Sequence, residues 1–597
     1  MENANARFLP MSAKELKERG IDRPDFILIS ADAYVDHPSF ANALIGRYLE
    51  AMGYSVGLIC QPNFGDERAY QVLGKPRLAF LISGGNMDSM VNRYTANKAP
   101  RSADLYSPGG KNRRPKRAVT VYTKMVKKIY PDVPVVIGGV EASLRRFAHY
   151  DYWENEVRPS ILAEAPADLL MYGMGEHPLR ELAEALDSGL AIGDITYIRG
   201  TAWWADSPDR VYEDKVIVHS FEEVAADKRK FAEAFAEQYR QQEPIKGKTV
   251  IQPHGKRFLV QNPPAYPLSQ QELDDVYELP FTRQAHPSYK EPIPALEEVK
   301  FSLVSSRGCY GGCAFCSIFF HQGRHIQSRS KESLLREAKL LTERKDFKGY
   351  IHDVGGPTAN FMQPPCKKAE KHGMCTDRRC LAPKPCPNLV ADHSKYMDIL
   401  RSLRSLPRVK KVFIRSGIRF DYVMADKSGE FINELARHHV SGQLKVAPEH
   451  CAAPVLRLMG KPDISVYERF VQKFQAASRK AGKKQYVLPY LIAAHPGSTL
   501  ECAIELALFL KKGGFVPDQV QDFYPTPGSV STCMYYTGID PLTMEKVYVP
   551  KSREERAMQR ALLQFNKPEN YPLVKKALLR AGREDLIGQG KNCLIRG

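Results

Sequence analysis

Three cysteines, Cys309, Cys313 and Cys316, fall within eight positions of the run Arg307-Gly308-Cys309-Tyr310-Gly311-Gly312-Cys313-Ala314-Phe315-Cys316. Zinc sites usually bring two cysteine pairs or a mixed Cys/His set, which this run lacks. Three thiolates can instead each take one iron of a cubane cluster and leave the fourth iron open to another ligand. Gly308, Gly311 and Gly312 would let the loop wind closely around such a group, because glycine accepts positive φ without steric cost. The rival readings are a zinc site and a small-residue loop with incidental thiols. A second set, Cys366, Cys375, Cys380 and Cys386, is separated by eight, four and five residues and lies among Pro364, Pro365, Pro383, Pro385 and Pro387. Such a loop has little apolar material to bury, so a metal would supply its order. An auxiliary iron–sulfur cluster, structural zinc and unligated thiols all remain open for it. Seven of the twelve cysteines lie between 309 and 386, a clustering that reads as metal binding rather than crosslinking in a reducing compartment. Cys60, Cys451, Cys502, Cys533 and Cys593 are isolated and read as packing.

The elements that must position these groups form an α/β chain with parallel sheets. Strand-like runs at 26–30, 56–60, 78–83, 135–138 and 169–172 alternate with helical patterns near 38–52, closed by Gly53, and 120–130. They predict a Rossmann-like, doubly wound domain over residues 1–190. Residues 191–292 read as an irregular α+β connector, with a strand around Trp203 and Trp204, a long charged helix near 222–242, and frequent prolines from 263 to 294. Strand-like runs at 301–305, 350–354, 411–415, 443–446, 486–492 and 519–523 then alternate with helices near 333–344, 396–406, 431–438, 467–481 and 500–511. This pattern predicts a partial (βα)6 barrel over 293–540, followed by a helical extension over 541–597. The cysteine run directly follows the first barrel strand, and barrel enzymes place their chemistry at the C-terminal ends of strands.

At 597 residues the chain exceeds one hydrophobic core, and 43% hydrophobic with 26% charged residues is ordinary for a soluble globular protein. No apolar stretch approaches a bilayer span, and Met-Glu-Asn-Ala-Asn-Ala-Arg lacks a secretory pattern. A cytoplasmic protein without a membrane partner is the expectation. The net charge of +18 makes an acidic or nucleic-acid partner a possibility. The densest basic run is Lys111, Arg113, Arg114, Lys116 and Arg117, which reads either as a nucleic-acid contact or as an exposed loop.

Cys-x3-Cys-x2-Cys with an aromatic before the last cysteine resembles the signature of the radical S-adenosylmethionine (radical SAM) superfamily. The resemblance implies an oxygen-sensitive enzyme with a 4Fe-4S cluster on Cys309, Cys313 and Cys316, whose open iron is chelated by SAM. It further implies reductive cleavage of SAM to a 5′-deoxyadenosyl radical that abstracts hydrogen from a substrate, with a reductant such as flavodoxin or ferredoxin. Phe315 would pack near the adenine, Gly355, Gly356 and Pro357 would form the SAM-amino motif, Glu449 a ribose or carboxylate contact, and His495 and Gly497 an adenine-contacting loop. His286-Pro287, the stretch 316–324, Arg329-Ser330, Gly138–Arg146 and His149–Trp153 resemble the YgiQ family, a likeness spanning nearly the whole chain. The substrate stays unnamed. Gly138-Gly139 and Gly173-Met174-Gly175-Glu176 resemble turns of cobalamin-binding radical SAM enzymes, but the cobalt-ligating Asp-x-His-x-x-Gly loop is absent, so cobalamin is not expected. A cobalamin-dependent methylase and a non-catalytic RNA- or ribosome-binding protein with a relict cluster are the alternative functions.

Overall fold

The computed structural model describes residues 7–596. Most of the N-terminal run examined for a secretory pattern, and Gly597 of the C-terminal extension, lie outside them. The first five parallel strands are Phe26–Ser30, Val56–Cys60, Ala79–Ser83, Val135–Gly138 and Leu169–Met171. In the sheet they take the order second, first, third, fourth, fifth. Phe26 stands between Val56 and Ala79 in register. Every residue from Phe26 to Ser30 is buried, as a parallel strand covered by helices on both faces requires. The helix Ala41–Ala51 ends at Met52, and Gly53 follows at a φ of +92° where a side chain would be strained.

The sheet does not end near residue 190. Thr201–Ala205 pairs antiparallel with Leu169–Met171, and Arg257–Gln261, Thr249–His254 and Lys215–Ile217 complete nine strands. The segment expected as an irregular connector thus supplies the far edge of the first sheet. Thr201–Ala205 is the strand expected around Trp203 and Trp204, whereas Thr249–His254 and Arg257–Gln261 carry buried polar residues, Gln252 and Gln261, which break the apolar runs by which the others were recognised. The long charged helix is two, Phe221–Ala226 and Lys228–Arg240, because the Asp227 carboxylate accepts from the backbone N–H groups of Arg229 and Lys230 and restarts it.

In the second half, Ser302–Val304 pairs in parallel with Asp353–Gly355, and Tyr350–Ile351 with Lys411–Val412. Gln443–Glu449 pairs in parallel with Tyr486–Ala493, which in turn pairs with Gln521–Asp522. Helices Lys331–Glu343, Ser394–Arg404, Ile464–Lys480 and Leu500–Lys512 alternate with these strands. The strands pair in the sequential, parallel manner of a βα barrel except that, among the described residues, no ladder joins Lys411–Val412 to Gln443–Glu449, and the candidate groups lie at or past their C-terminal ends. Helices Arg553–Leu563 and Tyr571–Arg580 close an apolar cluster against Leu500–Lys512, with Leu506, Met558, Leu562, Val574 and Leu578 inside.

Candidate functional site

The cysteine loop leaves a short strand, Ser306–Arg307, at the barrel mouth. Arg307 is buried and ion-paired to Glu176 at 2.5 Å, which ties the loop's start to the N-terminal domain. Gly308 has a φ of +81°, and a side chain there would run into the His325 carbonyl. Gly312 is also left-handed, at +66°. Gly311 is not. It is small because the Arg419 guanidinium lies against it.

Each thiol of the first set is half-buried and unpaired with another cysteine. Burial pushes the Cys316 thiol up to about 12, with Cys313 and then Cys309 adding to the effect, so the three sulfurs act on one another. Cys309 Sγ shares a hydrogen bond with Thr358 Oγ1 at 3.3 Å. Arg419 Nη1 donates to Cys313 Sγ at 3.1 Å and its guanidinium forks onto Asp421. Burial works against the charge of Arg419, but Asp421 and the thiol of Cys313 hold it. A buried cation against sulfur is suited to anionic thiolates. Thr358 and Arg419 carry no local motif and were not foreseen. Their only sequence signal is position, just past the second and third barrel strands.

The sites expected for SAM converge on the same end. Phe315 and His495 meet edge to face, with ring centroids 6.2 Å apart. Both nitrogens of His495 are engaged, by the Pro496 carbonyl and Ser531 Oγ, so only its ring is left to face a ligand. Gly497, at φ +92°, is where a side chain would be strained, and a Cβ there would press on the Leu458 side chain. Neither Gly355 nor Gly356 has positive φ, so neither serves a left-handed turn. A Cβ on Gly355 would meet Ser416, and one on Gly356 the Ser306 carbonyl, so close packing between strands demands both. Glu449 is unusual on three counts: it has a φ of +70°, is buried, and leaves Oε2 without a hydrogen-bond partner. Lys461 lies 3.4 Å from its other oxygen and 5.8 Å above the Phe315 ring. Burial pushes the Glu449 carboxyl above its usual range against the pull of Lys461. Backbone strain and orphaned buried acceptors cluster at functional sites in general.

A cavity of about 530 Å³ joins this region to the N-terminal sheet. Its walls include Ser30, Ser83 and Gly138 at strand ends on one side, and Ser306, Gly356 and Pro357 on the other. Such sheets bind ligands outside the C-terminal ends of their strands, at the point where strand order reverses. The Gly138–Arg146 motif packs the two halves together: Ser143 Oγ lies 3.1 Å from His321 Nδ1, and the Arg146 guanidinium sits 4.9 Å over the Phe320 ring. The basic run is largely committed to ion pairs. Arg114 is buried against Asp32 and Asp104, Arg117 binds Asp151 and Glu154, and Lys111 binds Glu291.

Comparison with known proteins gives matches to a radical SAM N-terminal family over residues 8–302 and to the radical SAM superfamily over 303–510. Residues 518–597 match a domain of unknown function. A UPF0313 protein of Clostridium botulinum is 56% identical over 595 residues, covering 99% of this chain and 92% of the relative. One from Clostridium perfringens is 54% identical over 593 residues, covering 99% and 90%. The chain belongs to the UPF0313 family of radical SAM proteins.

UPF0313 is the YgiQ family to which the motifs pointed. Membership makes the chain an enzyme of unknown substrate and implies a 4Fe-4S cluster and SAM. Among solved structures, the cobalamin-dependent radical SAM enzyme OxsB with aqua-cobalamin bound matches at a TM-score of 0.49 and 12% identity, covering 96% of this chain and 72% of that one. The methyltransferase TsrM from Kitasatospora setae, with cobalamin and a [4Fe-4S] cluster bound, matches at 0.47 and 13%, covering 93% and 99%. Among the described residues, no helix of this UPF0313 chain is long and apolar enough to cross a membrane.

Proposed function

We propose that Cys309, Cys313 and Cys316 hold a 4Fe-4S cluster and that Phe315, Gly355, Gly356, Pro357, Glu449, His495 and Gly497 form the surrounding SAM site. The observation that carries this reading is the set of three mutually interacting thiols at the mouth of the barrel, beside the buried cation of Arg419. The donor set suits the group, because three thiolates leave one iron for SAM and no fourth protein ligand is needed. Held by these residues and given one electron by a flavodoxin or ferredoxin, the cluster and SAM would supply radical chemistry for abstracting a hydrogen atom from substrate, with methionine and 5′-deoxyadenosine as the products of SAM.

The chain's own residues have separable tasks. Arg419 offsets the negative charge that thiolates accumulate, and Thr358 orients Cys309. Glu449 Oε2, unpartnered, would accept from a hydroxyl or amino group of SAM. Phe315 and the His495 ring offer flat apolar surface to a purine. The substrate would occupy the cavity next to Gly356 and Pro357. The test is anaerobic incubation of dithionite-reduced protein with SAM. Methionine and 5′-deoxyadenosine should form in equal amounts, and no cleavage by cluster-replete protein would overturn the reading.

The cavity favours a second reading, a cobalamin-dependent methylase, because its size and its place at the sheet's C-terminal edge suit a large cofactor. Its turns at Gly138-Gly139 and Gly173–Gly175 allow close backbone approach, although the chain lacks the Asp-x-His-x-x-Gly loop. Hydroxocobalamin should then co-elute with the protein on gel filtration at one per chain. Elution of cobalamin as free ligand would leave the cavity to substrate alone.

A further inference from the structure

Along the barrel strands Leu303, Ile351, Val412, Ile414, Leu444 and Val446 are buried in one apolar cluster with the surrounding helices. Their neighbours in sequence therefore turn the other way, to the concave inner face. In a closed barrel such residues interdigitate and fill the interior. Here they do not. Tyr350, Tyr486 and Tyr490 keep 41%, 52% and 48% of their surface, and Arg415, Gln443 and Lys445 are exposed on the same face. The wall is also broken, since among the described residues no ladder joins Lys411–Val412 to Gln443–Glu449.

Cations and rings share this inner face. Lys411 and Lys445 have no ion pair among the described residues. Arg415 reaches Glu298 only at 3.8 Å, with both side chains largely in solvent. The basic run at 111–117 differs, because Lys111, Arg114 and Arg117 spend their charge on pairs within the fold. Lys411 Nζ lies 5.4 Å over the Phe413 ring, and Tyr350 sits beside Phe413 with centroids 6.2 Å apart. Across the break, Gln443 is in register with Tyr486 and Lys445 with Leu488, so Tyr486, Lys445 and Tyr490 follow one another along one face.

We propose that the open inner face of the barrel binds single-stranded nucleic acid, with phosphates on Lys411, Arg415 and Lys445 and unpaired bases on the rings of Tyr350, Phe413, Tyr486 and Tyr490. The cations supply an attraction that is independent of sequence, and a net charge of +18 draws a polyanion toward them. Exposed flat rings then stack on whichever base they meet. A duplex offers the same phosphates but keeps its bases stacked on one another, so the rings would stay idle. An acidic peptide would satisfy the cations and leave four rings in water. The inference does not rest on the proposed cluster and SAM site.

The test is fluorescence anisotropy of labelled U15 and dT15 with the full chain, reconstituted anaerobically with iron and sulfide. Wild type should bind at least one of them, and the tighter of the two names the preferred sugar. K411Q/R415Q/K445Q should weaken binding at least tenfold at low salt. It should also flatten the slope of log affinity against log salt by about two, since each phosphate contact contributes about 0.7. K256Q/K480Q/K575Q removes the same charge from exposed positions elsewhere and should leave that slope unchanged. Y486A/Y490A should weaken binding roughly tenfold with the slope kept, because stacking is not screened by salt. All four aromatic and cationic sites tested are exposed, and matching denaturant unfolding curves check that the variants fold. The proposal is overturned if wild type binds neither probe, or if the lumen variants match wild type. It is overturned equally if the control variant loses as much, if a duplex of the same length binds as tightly, or if poly-glutamate displaces the probe as readily as unlabelled U15.

Discussion

The two cysteine loops leave neighbouring strands of one barrel and are held in different ways. The first is gripped by backbone: Cys309 N–H binds the Gly323 carbonyl, Ala314 N–H the Met459 carbonyl, and Ser531 N–H the Ala314 carbonyl. Its cation, Arg419, is buried and shared with Asp421. The second loop is tied at its ends but largely exposed between them, and the cation beside Cys375 and Cys386, Arg378, lies in solvent. The first loop is held by the fold itself, whereas the second would take its order from a metal if it binds one.

The largest effect should separate the loops by function. Cys313→Ala removes a thiolate of the proposed SAM-binding cluster, so formation of 5′-deoxyadenosine should fall to background. Cys380→Ala should sharply raise protease sensitivity between 366 and 386 while iron at the first set persists. If Cys380→Ala left the loop resistant to protease, the idea that metal orders it would be lost.

How much of this was legible in the sequence follows the same division. Strands such as 26–30 and 56–60 are continuous apolar runs bounded by polar residues, and both were found at their observed limits. The cysteine loop was legible because its ligands are local in sequence. Thr358 and Arg419 were not, because the cysteines they touch lie 49 and 106 residues away, and Lys461 was not, because only the barrel brings it over Phe315. The strand around Trp203 and Trp204 was expected, but Lys215–Ile217, Thr249–His254 and Arg257–Gln261 escaped for a different reason. They extend the sheet at an edge by mixed antiparallel and parallel pairing, where polar residues such as Gln252 find partners in Ala148 N–H and the His219 carbonyl.

The next prediction tests preorganisation. Arg419→Met leaves Asp421 buried without its partner, which should cost about 3–5 kcal/mol of stability. Unfolding of the reconstituted protein by denaturant should show it. Arg419→Met with Asp421→Leu should recover most of that loss, because no lone charge then remains buried. The double variant should still lose iron from the first cluster faster than wild type on exposure to a chelator. Equal loss rates would mean that Arg419 serves only the fold.

Glu449→Gln should have a smaller, more specific effect. The amide keeps the shape but removes the charge facing Lys461 and weakens acceptance from SAM. A lost hydrogen bond to a charged group is worth about 1.5–3 kcal/mol. The apparent KM for SAM should therefore rise by roughly tenfold or more, with iron content unchanged. A purely structural role would lower iron or stability and leave that KM alone. Glu449→Gly separates strain from chemistry, since it relieves the positive φ while removing the carboxylate.

The smallest effect compares the two cations. Removing positive charge near a cluster disfavours the added electron, so Arg419→Gln should lower the reduction potential of the first cluster, and Arg378→Gln that of a second cluster if Cys366, Cys375, Cys380 and Cys386 hold one. Their dependence on salt should differ. Arg378 is exposed and already paired with Asp377 at 3.1 Å, so its field reaches Cys375 and Cys386 through water. In roughly 1 M salt the screening length is only about 3 Å, and the shift caused by Arg378→Gln should vanish. Arg419 Nη1 touches Cys313 Sγ at 3.1 Å inside the protein, where ions do not penetrate, so its shift should persist. Potentiometric titration at low and high salt reads both. A shift at the second cluster that resists salt would place those thiols in a shielded site like the first, and the distinction between a preformed site and one ordered by its metal would fail.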